Sequence, residues 1–573
     1  MKWKKLLTGA GALAVCAAAG KLLGALFRIP LTNIAGAEGI GLYQMVFPLY
    51  TALLTISSGG LSSAISKAVA GALSQKDEAR ALKIFKVAVF SLLVLGGAGA
   101  LFLVLLRDRI AAVQGNPAAS TAYLAIAPSL VFVAVISAVR GYFQGRGNML
   151  PSGVSQIVEQ GVKLVAGLFF AALFLKYGVQ YAAAGAAIGV SLSELVAMAV
   201  LLVQFAFSYG KDKKRRMISV AKLWSLNNNA ESGLDFAFDY ADLPYKKEIF
   251  GANLDIALPS VNGAPKASRP ATNSALRTPH SAPLKTAEIL KSLYRIAIPI
   301  TLGSLIMPLT QVIDSIMVIN ILTAGGMARG EATSLFGLVS GPISSLVNMP
   351  IVIMLSVSIA LLPKIAYLRG MGESTDAAVG VGIRFTMLLA LPAATVFMVF
   401  PRQIVGGLYS GGLTGWQLDI SASLLRIESM SVFYVGIIQT ATAVLQGADK
   451  PHRPAINLLY GAAIKAVLTL VLLPVFGIRG CAAASAACYA VIALLDLYYM
   501  RKIIRPKLGF VKTFLLPLIG CALLVGVALL GLWAFSQFMR PLFCLLFAFV
   551  AGALSYAGFL LITKTIKIKE FLK

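Results

Sequence analysis

Charge is scarce in this chain. Only 13% of its 573 residues are charged, against about 25% in a soluble globular protein. That deficit excludes a water-soluble domain of ordinary composition. Histidine is almost missing. His280 lies in a polar stretch and His452 in a short basic loop, and neither has the neighbours of a metal site or a catalytic triad. The five cysteines (Cys16, Cys481, Cys488, Cys521, Cys544) are scattered through apolar stretches, with no metal spacing and no disulfide framework. There is no Gly-x-x-x-x-Gly-Lys-Ser/Thr phosphate loop, so no nucleotide-driven motor is expected. No loop offers the paired aspartates that commonly hold a metal-bound sugar nucleotide. The expectation is a non-enzyme without metal or cofactor.

What is abundant is apolar sequence, 58% of the chain, gathered in long blocks. About 20 helical residues cross the hydrocarbon core of a bilayer. The backbone has no water partner there, so each block should be helical. Block length and weak alternation argue against an outer-membrane barrel. The blocks divide into fourteen expected spans, roughly 6–30, 40–66, 84–106, 120–143, 153–175, 181–207, 293–322, 333–362, 379–401, 420–446, 455–476, 480–500, 512–536 and 541–563. The first block opens like a signal peptide with Lys2, Lys4 and Lys5, but it runs on through Lys21 and Arg28 and is read as a span.

The net charge of +27 would suggest nucleic acid in a soluble protein. Here the lysines and arginines fall mostly in short loops and read as topology signals, so no nucleic-acid partner is expected. With the N-terminus inside, every inner loop is basic and the outer loops are poor in cations, which places both termini in the cytoplasm. The cluster Lys211-Asp212-Lys213-Lys214-Arg215-Arg216 is either a stop signal or a contact for anionic headgroups of membrane lipids.

The chain also repeats itself. Gln144-Gly145 is followed by Lys163, and Gln446-Gly447 by Lys465 at the same spacing. Gly178-Val179-Gln180-Tyr181 answers Gly477-Ile478-Arg479-Gly480, and Ala64-Ile65-Ser66-Lys67 has a looser partner ending at Lys364. The offsets are 302, 299 and 297 residues. Two related halves of six spans are a transporter plan, with substrate handled where the halves meet. The fold class is therefore an all-α polytopic membrane protein of two six-helix lobes plus two added C-terminal helices. The expected boundaries are 1–207 for the first lobe, 208–288 for a polar cytoplasmic linker, 289–505 for the second lobe and 506–573 for the last two spans. The part of the linker at 227–285 reads as a disordered tether, and 286–295 as an amphipathic helix leading into span 7.

Charges inside hydrocarbon cost several kcal/mol and call for a reason. Span 1 holds Lys21 and Arg28, seven residues apart on one helical face, with Gly20 and Gly24 allowing close helix approach. Lys67, Arg140 and Lys364 lie near inner span ends, where they either snorkel to headgroups or face a cavity. Glu159 and Lys163 are an i,i+4 acid–base pair, either self-neutralising or part of a path. Asp314 and Lys465 belong to spans 7 and 11, and Asp496 lies near the end of span 12. Cations dominate the first half, which suits an anionic ligand such as a lipid diphosphate. A drug-cation exporter would show carboxylates instead.

Several of these segments resemble a known group. Gly145-Arg146-Gly147-Asn148-Met149-Leu150-Pro151 with Ser155-Gln156-Ile157-Val158-Glu159-Gln160 is similar to the stage V sporulation protein B group. So are Gln446-Gly447-Ala448-Asp449-Lys450-Pro451, Gly39-Ile40-Gly41-Leu42-Tyr43-Gln44 and Ala64-Ile65-Ser66-Lys67. That group belongs to the multidrug/oligosaccharidyl-lipid/polysaccharide exporter superfamily, beside the lipid II flippases. The resemblance covers nearly the whole chain. It implies fourteen helices in two lobes, a central cavity, and alternating access for a polyprenyl-diphosphate sugar. Lipid II flippases carry a basic residue and an arginine around a span 1 glycine, with two residues between glycine and arginine. Here Lys21-Leu22-Leu23-Gly24-Ala25-Leu26-Phe27-Arg28 has three, a spacing that fits the sporulation branch better. The long 208–288 linker also departs from the group.

The resulting expectation is a flippase for a lipid-linked cell-wall or polysaccharide precursor. Lys21, Arg28, Lys67 and Lys364 are its candidate substrate ligands, and Glu159, Lys163, Asp314 and Lys465 its cavity or ion-coupling residues. Its partners would be the lipid-linked sugar, membrane lipids and cell-wall synthesis enzymes. The alternatives are a multidrug/cation antiporter of the same superfamily, a membrane-embedded glycosyltransferase, and a scaffold for wall-synthesis enzymes.

Overall fold

A computed structural model describes residues 2–75, 77–228, 285–504, 509–535, 541–563 and 565. Among them there is helix, turn and loop but no strand. The helices are α1 (Lys2–Leu54), α2 (Leu61–Ser74), α3 (Glu78–Val113), α4 (Ser120–Ile126), α5 (Ser129–Gly145), α6 (Leu150–Leu175) and α7 (Val179–Asn228) in the first half. The second half has α8 (Thr286–Ala324), α9 (Arg329–Leu338), α10 (Ser344–Gly370), α11 (Asp376–Val399), α12 (Pro401–Tyr409), α13 (Gly415–Gly447), α14 (His452–Phe476) and α15 (Ile478–Ile503). The chain ends with α16 (Leu516–Phe535) and α17 (Pro541–Ile562).

Thirteen helical runs are long and apolar enough to cross a membrane. Fourteen spans were expected, and the difference lies at the start. The run Leu22–Ser74 is 53 residues long, more than twice what a bilayer needs. Gly36 breaks it with φ 69° and ψ −175°, a conformation that a β-carbon would oppose. In a continuous helix Phe27 and Tyr43 would stand about 24 Å apart. Their ring centroids are 5.9 Å apart, so α1 doubles back at Gly36 and supplies two antiparallel spans.

The chain resolves into two compact units, Met1–Gln204 with Thr286–Lys573, and Phe205–Lys285. The apolar stretch of span 6 was expected to stop near 207, but α7 continues through the basic cluster to Asn228. The side chains of that cluster and most of the tether expected at 227–285 lie outside the described residues. The helix expected from 286 opens α8 and is continuous with span 7.

Within the first unit, small side chains set the helix contacts. Gly145 lies on α2, where a β-carbon would come 2.7 Å from the Ser66 carbonyl and 2.8 Å from Val69. Gly447 lies on α10 in the matching way, with Leu362 at 3.0 Å and Ile365 at 3.1 Å. The repeat in sequence is thus a repeat in packing. The last two helices pair with each other and lean on α11, where the Tyr556 hydroxyl donates to the Leu388 carbonyl over 3.1 Å. Large apolar side chains such as Phe90, Phe169 and Trp533 are exposed, the arrangement expected where the solvent is lipid.

Candidate functional site

The lobes are stitched together by polar side chains on otherwise apolar helices. Near the loops after α3 and α8, the Gln114 amide donates to Ser315 Oγ and to the Met45 carbonyl, both over 3.0 Å. Asn116 donates to Thr333 Oγ1 over 2.9 Å, and Asn320 to the Val113 carbonyl over 2.8 Å. Asn33 donates to the Leu408 carbonyl over 2.8 Å, and Gln44 to the Ser340 carbonyl. Gly337 meets Gly41 there so closely that a β-carbon would lie 2.4 Å from the Ala37 carbonyl. Elsewhere α8 seals against the first lobe, with Tyr294 Oη 2.6 Å from Ser91 Oγ and Thr301 Oγ1 accepting from Gly60 N over 3.2 Å.

Arg28 stands at this seam. It is half-buried, and its guanidinium donates to Ser345 Oγ of the opposite lobe over 3.2 Å. No carboxylate pairs with it among the described residues. Its charge lies within electrostatic reach of Lys163, Tyr43 and Tyr409. Lys163 is also without an acid bonded to it. It donates to Gln160 Oε1 over 3.3 Å, and its Nζ sits 5.6 Å from the centroid of the Phe27 ring, a cation–π contact. Gly24 makes room for this group, because a β-carbon there would meet Gln160 Oε1 at 3.0 Å and Lys163 Nζ at 3.9 Å. The glycine of span 1 therefore admits the polar face of α6.

Glu159 does not pair with Lys163 as the helical spacing suggested. It turns to Arg140 of α5, 3.0 Å away, and accepts from Gln160 over 2.9 Å. Arg140 also donates to Ser155 Oγ over 2.9 Å. A guanidinium reaching from the neighbouring helix supplies two directed donors, which an ammonium one turn away on the same helix does not match. Sequence reading left Arg140 either snorkelling to headgroups or facing a cavity, and the structure places it in a half-buried ion pair inside the lobe. Glu194 of α7 is buried within electrostatic reach of Glu159, Arg140 and Lys163.

In the second lobe Lys465 of α14 and Asp314 of α8 form a direct ion pair, brought together across 151 residues. Each side chain is 14% exposed. Glu428 and Tyr489 lie within electrostatic reach of Lys465. Lys67 and Lys364 stand apart from both groups. They occupy matching places on α2 and α10, both exposed, and neither bonds to another described residue. Lys21 lies on α1, and its side chain is outside the described residues. The structure thus joins Arg28, Lys163 and Glu159 into one electrostatic group and Asp314 with Lys465 into another.

With this geometry in place, comparison with known proteins is informative. Residues 6–224 match the family described as "Polysaccharide biosynthesis protein", and residues 284–550 match the family described as "Lipid II flippase MurJ". Stage V sporulation protein B of Bacillus subtilis (strain 168) is 27% identical over 84% of this chain and 81% of its own length. The likeness to that sporulation protein thus runs through both halves of the chain. An uncharacterised membrane protein of the same organism, YabM, is 26% identical over 92% of this chain and 86% of its own length. Lipid II flippase MurJ of that organism is 22% identical over 85% of this chain and 80% of its own. Among solved structures, an inward closed conformation of lipid II flippase MurJ aligns with TM-score 0.66 and 14% identity, covering 98% of this chain and 99% of that one. An inward-facing multidrug resistance transporter of the superfamily aligns with TM-score 0.58 and 16% identity, covering 84% and 94%. These structures share the fold. The chain is a multi-pass membrane protein of the transporter class.

Proposed function

We propose that this transporter is a flippase for a polyprenyl-diphosphate-linked sugar, moved across the cytoplasmic membrane for cell-wall synthesis in the spore cortex or the vegetative wall. The observation that carries the reading is the pair of cations at the lobe seam. Arg28 bonds across the seam to a neutral serine, and Lys163 behind it bonds to a neutral amide. Cations held in a membrane span without a bonded carboxylate leave charge to offer an anion, and a diphosphate accepts several charge-assisted hydrogen bonds at once. A cation antiporter needs the opposite sign at that place.

In the proposed cycle both termini face the cytoplasm, and Lys67 and Lys364 collect the diphosphate at the inner surface. Lys21 and Arg28 then hold it while the lobes rock about their seam. The Asp314–Lys465 pair, Glu159 held by Arg140, and Lys163 lie beside the path and couple it to an ion or to the membrane potential, worth about 2.3 kcal/mol per charge per 100 mV. The test is a vesicle assay with the reconstituted protein and a fluorescent lipid-linked sugar. Wild-type protein should expose the label to an external quencher, and Arg28→Ala should not. Full activity of Arg28→Ala would reject the role of Arg28. Drug-cation uptake lost in Asp314→Asn and kept in Arg28→Ala would favour the antiporter instead.

A further inference from the structure

At one end of the two lobes the repeat preserves a helix crossing but changes its charge. At the offset of 302 residues Thr121 answers Ser423 and Leu124 answers Arg426, and at the offset of 299 Gln180 answers Arg479. In the first lobe Thr121 of α4 donates to the Gln180 carbonyl of α7 over 3.3 Å. In the second lobe Arg479 Nε of α15 donates to Ser423 Oγ of α13 over 3.1 Å. The same positions meet in both lobes, so the crossing itself needs no cation. Leu124 and Gln180 serve it without charge in one lobe, and two arginines stand in their places in the other.

Both arginines are exposed, and among the described residues neither has a carboxylate bonded to it. Arg426 Nε donates to the Met398 carbonyl of α11 over 3.3 Å. Ser423 and Arg426 are one turn apart on α13, so the two guanidiniums flank a single turn. The acid on this face of α13, Asp419, is held by Arg402 over 3.0 Å. Arg479 is the second residue of α15 and Met398 the last but one of α11, so the group lies where spans end. The 33 residues of α13 extend about 50 Å against a hydrocarbon core of about 30 Å, which leaves Arg426 within reach of the headgroups. Met398, Val399 and Met430 beside it are exposed and apolar.

We propose that Arg426 and Arg479 form a headgroup site for an anionic phospholipid of the outer leaflet, on the face of α13 between α11 and α15. Two guanidiniums around one turn match a single phosphodiester, and the apolar side chains alongside match its acyl chains. Cations at an outer span end run against the usual charge bias of membrane proteins, so topology does not account for them. The choice of leaflet rests on the cytoplasmic termini proposed above. The headgroup site does not need the flippase reading.

The test is native mass spectrometry of the full-length protein in detergent, with phosphatidylglycerol titrated in and phosphatidylcholine as the neutral comparison. The wild type should prefer phosphatidylglycerol. Arg426→Gln and Arg479→Gln should each weaken its binding about fivefold and together about 25-fold, as expected for basic side chains at a charged membrane surface. Should the double variant not fold, the single variants carry the decision. Arg107→Gln removes the same charge from α3 and should change binding less than about twofold. Three results would overturn the site: no preference for phosphatidylglycerol, binding unchanged in both arginine variants, or an equal loss in Arg107→Gln. Displacement of phosphatidylglycerol by equimolar polyprenyl diphosphate, with the same dependence on both arginines, would overturn it in favour of a diphosphate site. The leaflet is read separately. Gly415→Cys, where a β-carbon meets nothing within 4 Å, should react in whole cells with a membrane-impermeant maleimide above the wild-type background. No reaction, with arginine-dependent binding intact, would reject the outer leaflet and the proposed orientation while upholding the headgroup site.

Discussion

The two lobes descend from one pattern but solve the same electrostatic problem differently. In the first, Glu159 and its cation Arg140 sit on adjacent helices close in sequence, and Lys163 is left with an amide and a ring. In the second, the matching Lys465 is tied to Asp314 of α8, and the acid Asp496 is left with an amide and a hydroxyl. One lobe therefore keeps an unneutralised cation beside the seam, and the other keeps an unneutralised acid in its interior. Shared ancestry fixed where the lysines and glycines stand, while divergence chose which charge is left over.

The sharpest way to break this comparison is at the seam. Arg28→Ala should lower flipping of a lipid-linked sugar by about 100-fold or more, as expected when a charge-assisted contact of about 3 kcal/mol is lost. Its thermal midpoint should barely move, since Arg28 makes one bond to a neutral serine. Next comes the second lobe's ion pair. Asp314→Leu should cost about 3–5 kcal/mol by stranding a buried ammonium, and the double variant Asp314→Leu with Lys465→Met should recover most of it in the same unfolding measurement. Arg140→Met should cost about 2 kcal/mol, because the carboxylate it abandons keeps the Gln160 donor.

Smaller effects sharpen the packing side of the comparison. Gly145→Ala should destabilise by about 1–3 kcal/mol, and Gly447→Ala by less, since its neighbours stand at 3.0 and 3.1 Å rather than 2.7 and 2.8 Å. Lys163→Met should cost least, under about 1 kcal/mol, the worth of a partly exposed cation–π contact. A loss for Lys163→Met as large as that for Asp314→Leu would erase the proposed difference between the lobes.

Apolar block length, fixed by bilayer thickness, made the spans legible, and the loop lysines and arginines gave an expected orientation. The Gln-Gly signatures made the repeat legible because helix crossings there require a missing β-carbon. Arg28 was visible as an unexplained charge in a span. Less was legible where a partner came from another helix. The spacing of Glu159 and Lys163 suggested each other, but the actual partner of Glu159 is Arg140. Asp314 and Lys465 were both singled out without any sign that they meet.

Sequence alone therefore settled the helical membrane-spanning class, the two related halves and the spare charges within the spans. These follow from local composition and period, which the bilayer forces on any spanning chain. The tertiary structure alone decided which charges neutralise one another, because a side chain's partner in a helical bundle is set by crossing geometry and not by distance along the chain. It also decided that the first span and the second meet at Gly36, in a turn that depends on a single backbone angle.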